Sequence, residues 1–258
     1  MGKSVNGLPL IYWSCGDEKS GNRSLILSAV HGDEVTPVFF GFRLVEWLKA
    51  NPQVCKDNFI VVAPIVNPDG FLRYTAGTRT NYNKVDLNRN FPTPDWDKDA
   101  MTRWKQTAIK GQPQRRYFPG EKSGSEPEIH FQLKLIDEFR PTKIMSVHAP
   151  LHFFDLDGPD VDQVKVFAKN YVQAVEAMKQ EMKKTTLLLR FQTYGIFPGS
   201  LGNYAGKFRG IPTITAELPS SNPVLAAEYF GNLIESTKSF MLYDISKNVL
   251  GNITKSEN

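Results

Sequence analysis

Apolar positions along the chain fall into short continuous runs separated by stretches of helical spacing. Residues 24–30 and 59–66 are nearly unbroken runs of branched and apolar side chains, the pattern of strands buried on both faces. An earlier run at 8–13 reads as a first strand, and residues 17–22 as a polar turn. Between the two long runs, Val38, Phe39, Phe42, Val45 and Leu48 recur at helical spacing as far as Asn51-Pro52. Strand, helix, strand in that order predicts parallel pairing with right-handed crossovers.

From Asn67 to about Gly124 no period is sustained. A stretch that long without one is uncommon in a compact domain and usually carries function. Regularity resumes at Ser125-Glu126-Pro127-Glu128, read as a capping box with Ser125 as N-cap, and the helix continues through Phe131, Leu135, Ile136 and Phe139 to Pro141. A strand at 143–147, a loop at 149–158, a long amphipathic helix at 161–184 and a strand at 187–191 follow. A last strand at 212–218 and a helix over about 224–242 complete the pattern. No internal repeat, linker or second apolar core interrupts it. The expected fold is therefore a single α/β domain over residues 1–245, a mixed and mostly parallel central sheet flanked by helices, with a polar tail at 246–258.

Composition narrows the function classes. At 41% hydrophobic residues the chain has enough apolar surface for a full core. Its net charge of +4 is modest and its basic residues are spread out, which argues against nucleic-acid or membrane-surface binding. No apolar run approaches the ~20 residues that span a bilayer. Two cysteines, Cys15 and Cys55, are too few for a disulfide framework or a thiolate metal site, and leave a single bridge open. With no secretory signal after Met1-Gly2-Lys3-Ser4, a cytoplasmic location is expected, or a periplasmic one if a leader has been removed.

Candidate chemistry begins where the first long run stops. His31 follows that strand and Glu34 stands three residues later, just before a helix, the arrangement of half a zinc site. Zinc takes imidazole nitrogen and carboxylate oxygen at about 2.0–2.2 Å, and a strand end followed by a turn can bring both to one point. The plain alternative is a histidine in a polar turn beside a glutamate favoured by the helix dipole. His148 also ends a strand, and in open α/β sheets ligands bind at those carboxyl ends. It is favoured as third ligand over His152, which lies in an unanchored loop, while His130 reads as a surface helix residue.

Glu217 interrupts the last strand, where a buried carboxylate needs compensation. Near a metal it could take a proton from water activated there; otherwise it is a strand-end acid facing solvent. In the long irregular stretch, Asn88 and Arg89 offer an amide and a guanidinium fork suited to a carboxylate, and Arg79 a second guanidinium for a developing oxyanion. Asp86 and Asn90 read as structural ties of that loop, and Asp155, Asp157 and Asp160 as solvated turn acids before amine partners.

Taken together, His31-Gly32-Asp33-Glu34, Asn67-Pro68-Asp69-Gly70, Asp86-Leu87-Asn88-Arg89-Asn90-Phe91-Pro92, His148 and Thr215-Ala216-Glu217-Leu218-Pro219 follow the order and rough spacing of the zinc metallocarboxypeptidases. Within that family the chain most resembles the murein tripeptide amidases, which hydrolyse the γ-D-glutamyl–diaminopimelate bond of peptidoglycan peptides. Residues 2–7, Gly124-Ser125-Glu126-Pro127-Glu128 and Pro198-Gly199-Ser200 carry that closer likeness, and the whole resemblance covers about residues 2–240.

The resemblance implies one zinc ion held by His31, Glu34 and His148, with Glu217 as general base. It implies Arg79 at the scissile carbonyl, Asn88 and Arg89 on the substrate's terminal carboxylate, and Tyr194 in the place of the family's mobile tyrosine, although the surrounding residues depart from the digestive enzymes. The implied partner is a small murein peptide. Alternatives are a carboxypeptidase on other stem peptides or on protein C-termini, an N-acyl amino acid deacylase, and a non-catalytic binding module. Nothing in the sequence bears on oligomeric state.

Overall fold

A computed structural model describes residues 2–73, 77–158, 168–186 and 188–248. The chain opens with a hairpin of β1 (Gly2–Lys3) and β2 (Pro9–Leu10), then enters the main sheet with β3 (Trp13–Gly16), β4 (Arg23–Ser28) and β5 (Phe59–Ala63). Helix α1 (Val35–Ala50) joins β4 to β5, and the short α2 (Pro68–Leu72) and α3 (Trp96–Gln106) lie in the long connection that follows. Then come α4 (Pro127–Phe139), β6 (Lys143–His148), β7 (Phe153–Leu156), α5 (Lys169–Thr185), β8 (Arg190–Phe191), β9 (Thr213–Glu217) and α6 (Ala226–Leu242). The seven main strands lie in the order β3-β5-β4-β6-β9-β7-β8. The core from β5 through β4 and β6 to β9 is parallel, β3 and β7 run antiparallel to their inner neighbours, and β8 runs parallel to β7.

Successive side chains on the central strands go to opposite faces, and both faces are covered. Ile26, Ile60, Val62, Met145 and Ile214 pack with Phe40 and Leu44 of α1, Met178 of α5 and Leu233 of α6. Leu25, Leu27, Val61 and Ile144 pack the other way, with Ile129 and Leu135 of α4 and with Leu87, Phe91 and Leu201 from the irregular segments. This is why the central strands read as continuous apolar runs. Replacing a fully buried leucine such as Leu44 or Leu25 by alanine is expected to cost about 2–5 kcal/mol.

The structure departs from the expected elements where sequence pattern is weakest. The run at 8–13 splits between the hairpin strand β2 and edge strand β3. Helix α3 lies inside the stretch expected to be irregular; only Trp96 and Ala100 of it are buried, so it carries no apolar stripe. The expected capping box does not form: Glu126, not Ser125, occupies the N-cap position of α4, and the Glu128 carboxylate accepts from the Asn81 amide and the Val5 N–H instead of closing back on the helix. Part of the loop expected at 149–158 is strand β7. The expected helix at 161–184 is observed from Lys169, its first seven residues lying outside the described residues together with position 187 of the expected strand and 249–258 of the tail.

The two cysteines are joined, tying edge strand β3 to the turn that precedes β5. Beside that turn, the amino-terminal ends of the parallel strands are closed by buried polar groups. Lys143 Nζ donates to Tyr243 O at 2.7 Å and to Asn22 Oδ1. Asn22 Nδ2 donates to Met241 O at 3.0 Å and to Asn58 Oδ1, and Asn58 Nδ2 to Val54 O at 2.6 Å. Burial pushes the Lys143 amine down to about 7. Among the described residues no helix is long and apolar enough to cross a membrane.

Candidate active site

At the opposite end of the same strands, β4 stops at Ser28 and the chain leaves the sheet through Ala29, whose φ is 55°. The following turn is packed against the start of α2. A Cβ on Gly32 would fall 2.0 Å from the carbonyl carbon of Gly70, so the turn between His31 and Glu34 requires glycine. Asn67 joins the two segments: its amide donates to Val30 O at 3.1 Å while its side-chain oxygen accepts from Gly70 N at 2.8 Å, capping α2. The Asn67-Pro68-Asp69-Gly70 motif thereby supports the His31–Glu34 turn.

His148 is the last residue of β6 and pairs in register with Glu217, the last residue of β9. His31 Nδ1 lies 2.6 Å and His148 Nδ1 3.1 Å from the two oxygens of Glu34. One donor atom from each of these three buried residues lies within 4.8 Å of the others, a bound only slightly above the ~4.4 Å that two bonds of about 2.2 Å can span, so small side-chain shifts would draw all three onto one ion. The remaining ring nitrogens are anchored, His31 Nε2 at 3.1 Å from Asp86 Oδ1 and His148 Nε2 at 2.9 Å from Ser146 Oγ. Outer partners of this kind hold imidazoles in the orientation a metal needs. The donor set therefore fits zinc. Burial opposes ionisation of Glu34 and of Asp86, but His31 and His148 around Glu34, and Arg79 and His31 around Asp86, hold both well below the usual carboxylate range.

Arg79 donates from Nε to Asp86 Oδ2 at 2.8 Å, and its Nη1 stands 3.7 Å from Glu34 Oε1. Its guanidinium lies 5.1 Å from the Tyr117 ring centroid. Asn88 accepts the Leu201 N–H at 2.9 Å, and the Arg89 guanidinium sits 4.3 Å from the centroid of Phe197. Glu217 is buried, accepts the Leu151 N–H at 3.3 Å, and is raised by burial despite the pull of His148. Tyr194 is half exposed, with its ring 5.2 Å from that of Phe153.

These groups share one cleft of about 340 Å³, lined by His31, Glu34, Arg79, Asn88, Arg89, His148, Tyr194 and Glu217 among others. That volume suits a small ligand. His152 is exposed and turned to Leu188 O at 3.1 Å, and His130 lies on the surface of α4; neither joins the cluster.

Reading the sequence missed four residues of this cleft or its support. Asp86 is no mere loop tie: it holds His31 and Arg79 together. Its neighbour Asn90 does tie the loop, donating to Pro119 O and Lys122 O. Ser146 is found by its place two residues before a strand-end histidine, on the same face. Asp155 and Asp157 are not solvated turn acids but buried residues lining the cleft, and the alternation Phe153-Phe154-Asp155-Leu156-Asp157 was the signal. Asp160 lies outside the described residues.

With this geometry in view, the comparisons with known proteins agree. The profile of the zinc carboxypeptidase family matches residues 1–239, and the chain belongs to that family. It is a hydrolase by that membership, and zinc is the metal the family implies. The chain is 33% identical over 230 residues to murein peptide amidase A of Vibrio campbellii, covering 88% of this chain and 81% of that one. To murein peptide amidase A of Escherichia coli K12 it is 36% identical over 151 residues, 58% of each chain. Among solved structures, the murein-tripeptide amidase of Escherichia coli O157 superimposes with a TM-score of 0.60 at 26% identity, covering 93% of this chain and 89% of that one. The carboxypeptidase A of Helicoverpa armigera shares the fold, with a TM-score of 0.70 at 18% identity over 95% of this chain and 67% of that one.

Proposed function

We propose that this hydrolase acts on murein peptides, cleaving the amide between γ-D-glutamate and meso-diaminopimelate, with one zinc ion held by His31, Glu34 and His148. The observation that carries the reading is the placing of Asn88 and Arg89 in the same cleft as the triad and Glu217, in a chain one-third identical to a murein peptide amidase. A half-buried guanidinium in a cleft is left poorly solvated without its carboxylate, so such a cleft favours a substrate with a free carboxylate beside the scissile amide.

In this mechanism Arg89 and Asn88 bind that carboxylate and set the amide beside the triad. Zinc, when bound, supplies the Lewis acidity that makes carbonyl carbon more electrophilic and water more acidic. Arg79 donates to the carbonyl oxygen as it gains negative charge. Glu217 accepts a proton from the attacking water and returns it to the leaving amine, so the carboxylate is regenerated each turnover. Tyr194, half exposed at the rim, closes over the bound residue.

The test is incubation of zinc-loaded protein with L-Ala-γ-D-Glu-meso-diaminopimelate, a tetrapeptide stem and an ordinary L-peptide, followed by mass spectrometry of products. Release of free diaminopimelate from the tripeptide is expected. Release of the terminal residue from the tetrapeptide or L-peptide alone would instead identify a carboxypeptidase of broader type. The Cys15–Cys55 bridge favours an oxidising compartment over the cytoplasmic location expected from the amino terminus.

A further inference from the structure

Strand β7 and the residue that follows it send two acids into the cleft and two apolar residues to the helices. Asp155 and Asp157, two positions apart and so on one face, line the cavity with Arg89 and Glu217, while Phe154 and Leu156 pack into the opposite core. The two acids are only 5% and 7% exposed. Asp155 Oδ2 accepts the Tyr194 N–H at 3.2 Å, and Asp157 Oδ2 accepts the Thr215 hydroxyl at 2.9 Å. Among the described residues neither is ion-paired, and Asp157 Oδ1 has no hydrogen-bond partner. Buried polar groups are normally hydrogen-bonded and buried charges paired, so a carboxyl oxygen left open between two acids marks a place for an incoming cation.

The surrounding chain is shaped to hold Asp157 there. A Cβ on Gly202 would lie 2.2 Å from Asp157 Cγ, and one on Gly206 2.5 Å from Asp157 O. Both glycines belong to a single wide turn, Gly202–Lys207, in which the N–H of Phe208 bonds back to Asn203 O at 3.1 Å. Wide turns of this kind are rare and concentrate at functional sites.

We propose that Asp155 and Asp157 receive an ammonium group on the side chain of the substrate residue whose carboxylate is held by Arg89, so that the cleft selects a terminal residue bearing both. Diaminopimelate and lysine meet that requirement; norleucine, with lysine's chain length and no amine, does not. The inference rests on the peptidase reading above but not on the γ-glutamyl linkage.

The proton inventory is consistent with this. Burial, reinforced by Asp155, pushes the Asp157 carboxyl up to about 8, and burial raises Asp155 against the Tyr194 and Leu156 N–H groups, with Lys179 of α5 adding a weak opposing charge. Other titratable or charged groups lining the same cleft include Glu217 of β9, Tyr194 and Arg89 beside the His31–Glu34–His148 cluster and Arg79. Near neutral pH Asp157 is therefore largely protonated when the cleft is free. When an ammonium group enters, the Asp157 carboxyl loses its proton to solvent and the carboxylate pairs with the ammonium, a net release of about one proton.

Hydrolysis of γ-D-glutamyl-diaminopimelate, γ-D-glutamyl-lysine, γ-D-glutamyl-norleucine, L-alanyl-lysine and L-alanyl-norleucine by zinc-loaded wild-type protein tests the proposal. Within a linkage, norleucine substrates should be about 30-fold poorer or worse in kcat/KM, mainly through KM. Asp157→Asn should narrow that ratio to within about threefold, and Asp155→Asn provides the second variant should the first fail to fold. Calorimetry of free lysine and norleucine binding, repeated in buffers of different ionisation enthalpy, should show tighter binding of lysine with release of about one proton. Equal kcat/KM for lysine and norleucine, or equal binding of the two including none, overturns the proposal. Cleavage of L-alanyl-lysine in preference to L-alanyl-norleucine, with no γ-glutamyl substrate cleaved, sinks the murein reading and leaves this one standing. Efficient cleavage of γ-D-glutamyl-norleucine does the reverse.

Discussion

The two ends of strand β6 are equally buried and chemically opposite. Lys143 at one end is 0% exposed and His148 at the other 2% exposed. Around Lys143 the charged and amide groups find their counterparts within the chain: the ammonium meets Tyr243 O and the Asn22 amide oxygen, and Asn22 and Asn58 meet each other and helix-end or turn carbonyls, while the hydroxyl of Ser24, opposite Lys143 on β4, has no hydrogen-bond partner among the described residues. Around His148 the balance does not close. Glu34, Asp86 and Glu217 face two imidazoles and Arg79, and the Nδ1 atoms of both histidines converge on one carboxylate. A closed polar cluster stabilises a fold; an open one is arranged for a cation and a substrate. Substitutions at the two ends should therefore separate cleanly, activity without stability at one and stability without activity at the other.

The largest effect is expected from Glu217→Gln. Losing the proton acceptor while keeping the shape should lower kcat about 10²–10⁴-fold. Bound zinc, measured by metal analysis, should stay near one per chain and the melting temperature should hold. Full activity in this variant would remove Glu217 from the mechanism and erase the contrast between the ends. At the other end, replacing both Cys15 and Cys55 by serine opens a loop of sequence separation 40, worth about 4 kcal/mol in the chain-entropy account. Denaturant melts should show that loss while kcat of the folded protein is unchanged. A fall in kcat with no change in stability would mean that the disulfide communicates with the cleft.

Two further substitutions sharpen the active end. Arg89→Ala should raise KM roughly 30-fold or more with a smaller change in kcat, as loss of a buried carboxylate partner does, whereas the exposed Arg43 on α1 should be replaceable without effect. Equal responses would remove the clamp. Asp86→Asn should weaken zinc affinity about 10–100-fold, read by competition with a chromophoric chelator, because His31 loses the carboxylate that orients it. Unchanged affinity would return Asp86 to the status of a loop tie.

How much of this was legible in the sequence depended on whether a residue's function left a local pattern. His31, Glu34, His148 and Glu217 stand at or just beyond strand ends that apolar runs make visible, and the parallel core could be read from the same runs. Asp86 could not be read that way. Its two partners lie 55 and 7 positions away in the chain, brought together by a connection with no period to follow. Strand β7 was hidden for a different reason: the cleft-lining residues in it and just past its end, Asp155 and Asp157, are acids, which mimic a turn when the pairing with β9 is unseen. Helix α3 escaped because its exposed surface lacks an apolar stripe.

The smallest effect concerns the closed end, where Lys143 provides a check with a definite sign. Burial lowers its folded-state pKa to about 7, below the ~10.4 of an unfolded lysine. Below about pH 7 the amine is protonated in both states and contributes no slope. Between about 7 and 10 the unfolded chain holds more protons than the folded one, so this group makes stability rise with pH, by at most ~1.4 kcal/mol per unit. The neutral amine still has N–H groups to donate to Tyr243 O and Asn22 Oδ1, which is why deprotonation leaves the cluster closed. Lys143→Met should flatten that slope in urea titrations at pH 7.5 and 8.5, with kcat/KM for the wild-type substrate unchanged. A slope that survives the substitution would assign it to another group, and a loss of activity would mean that the amino-terminal end of β6 is not energetically separate from the histidine at its other end.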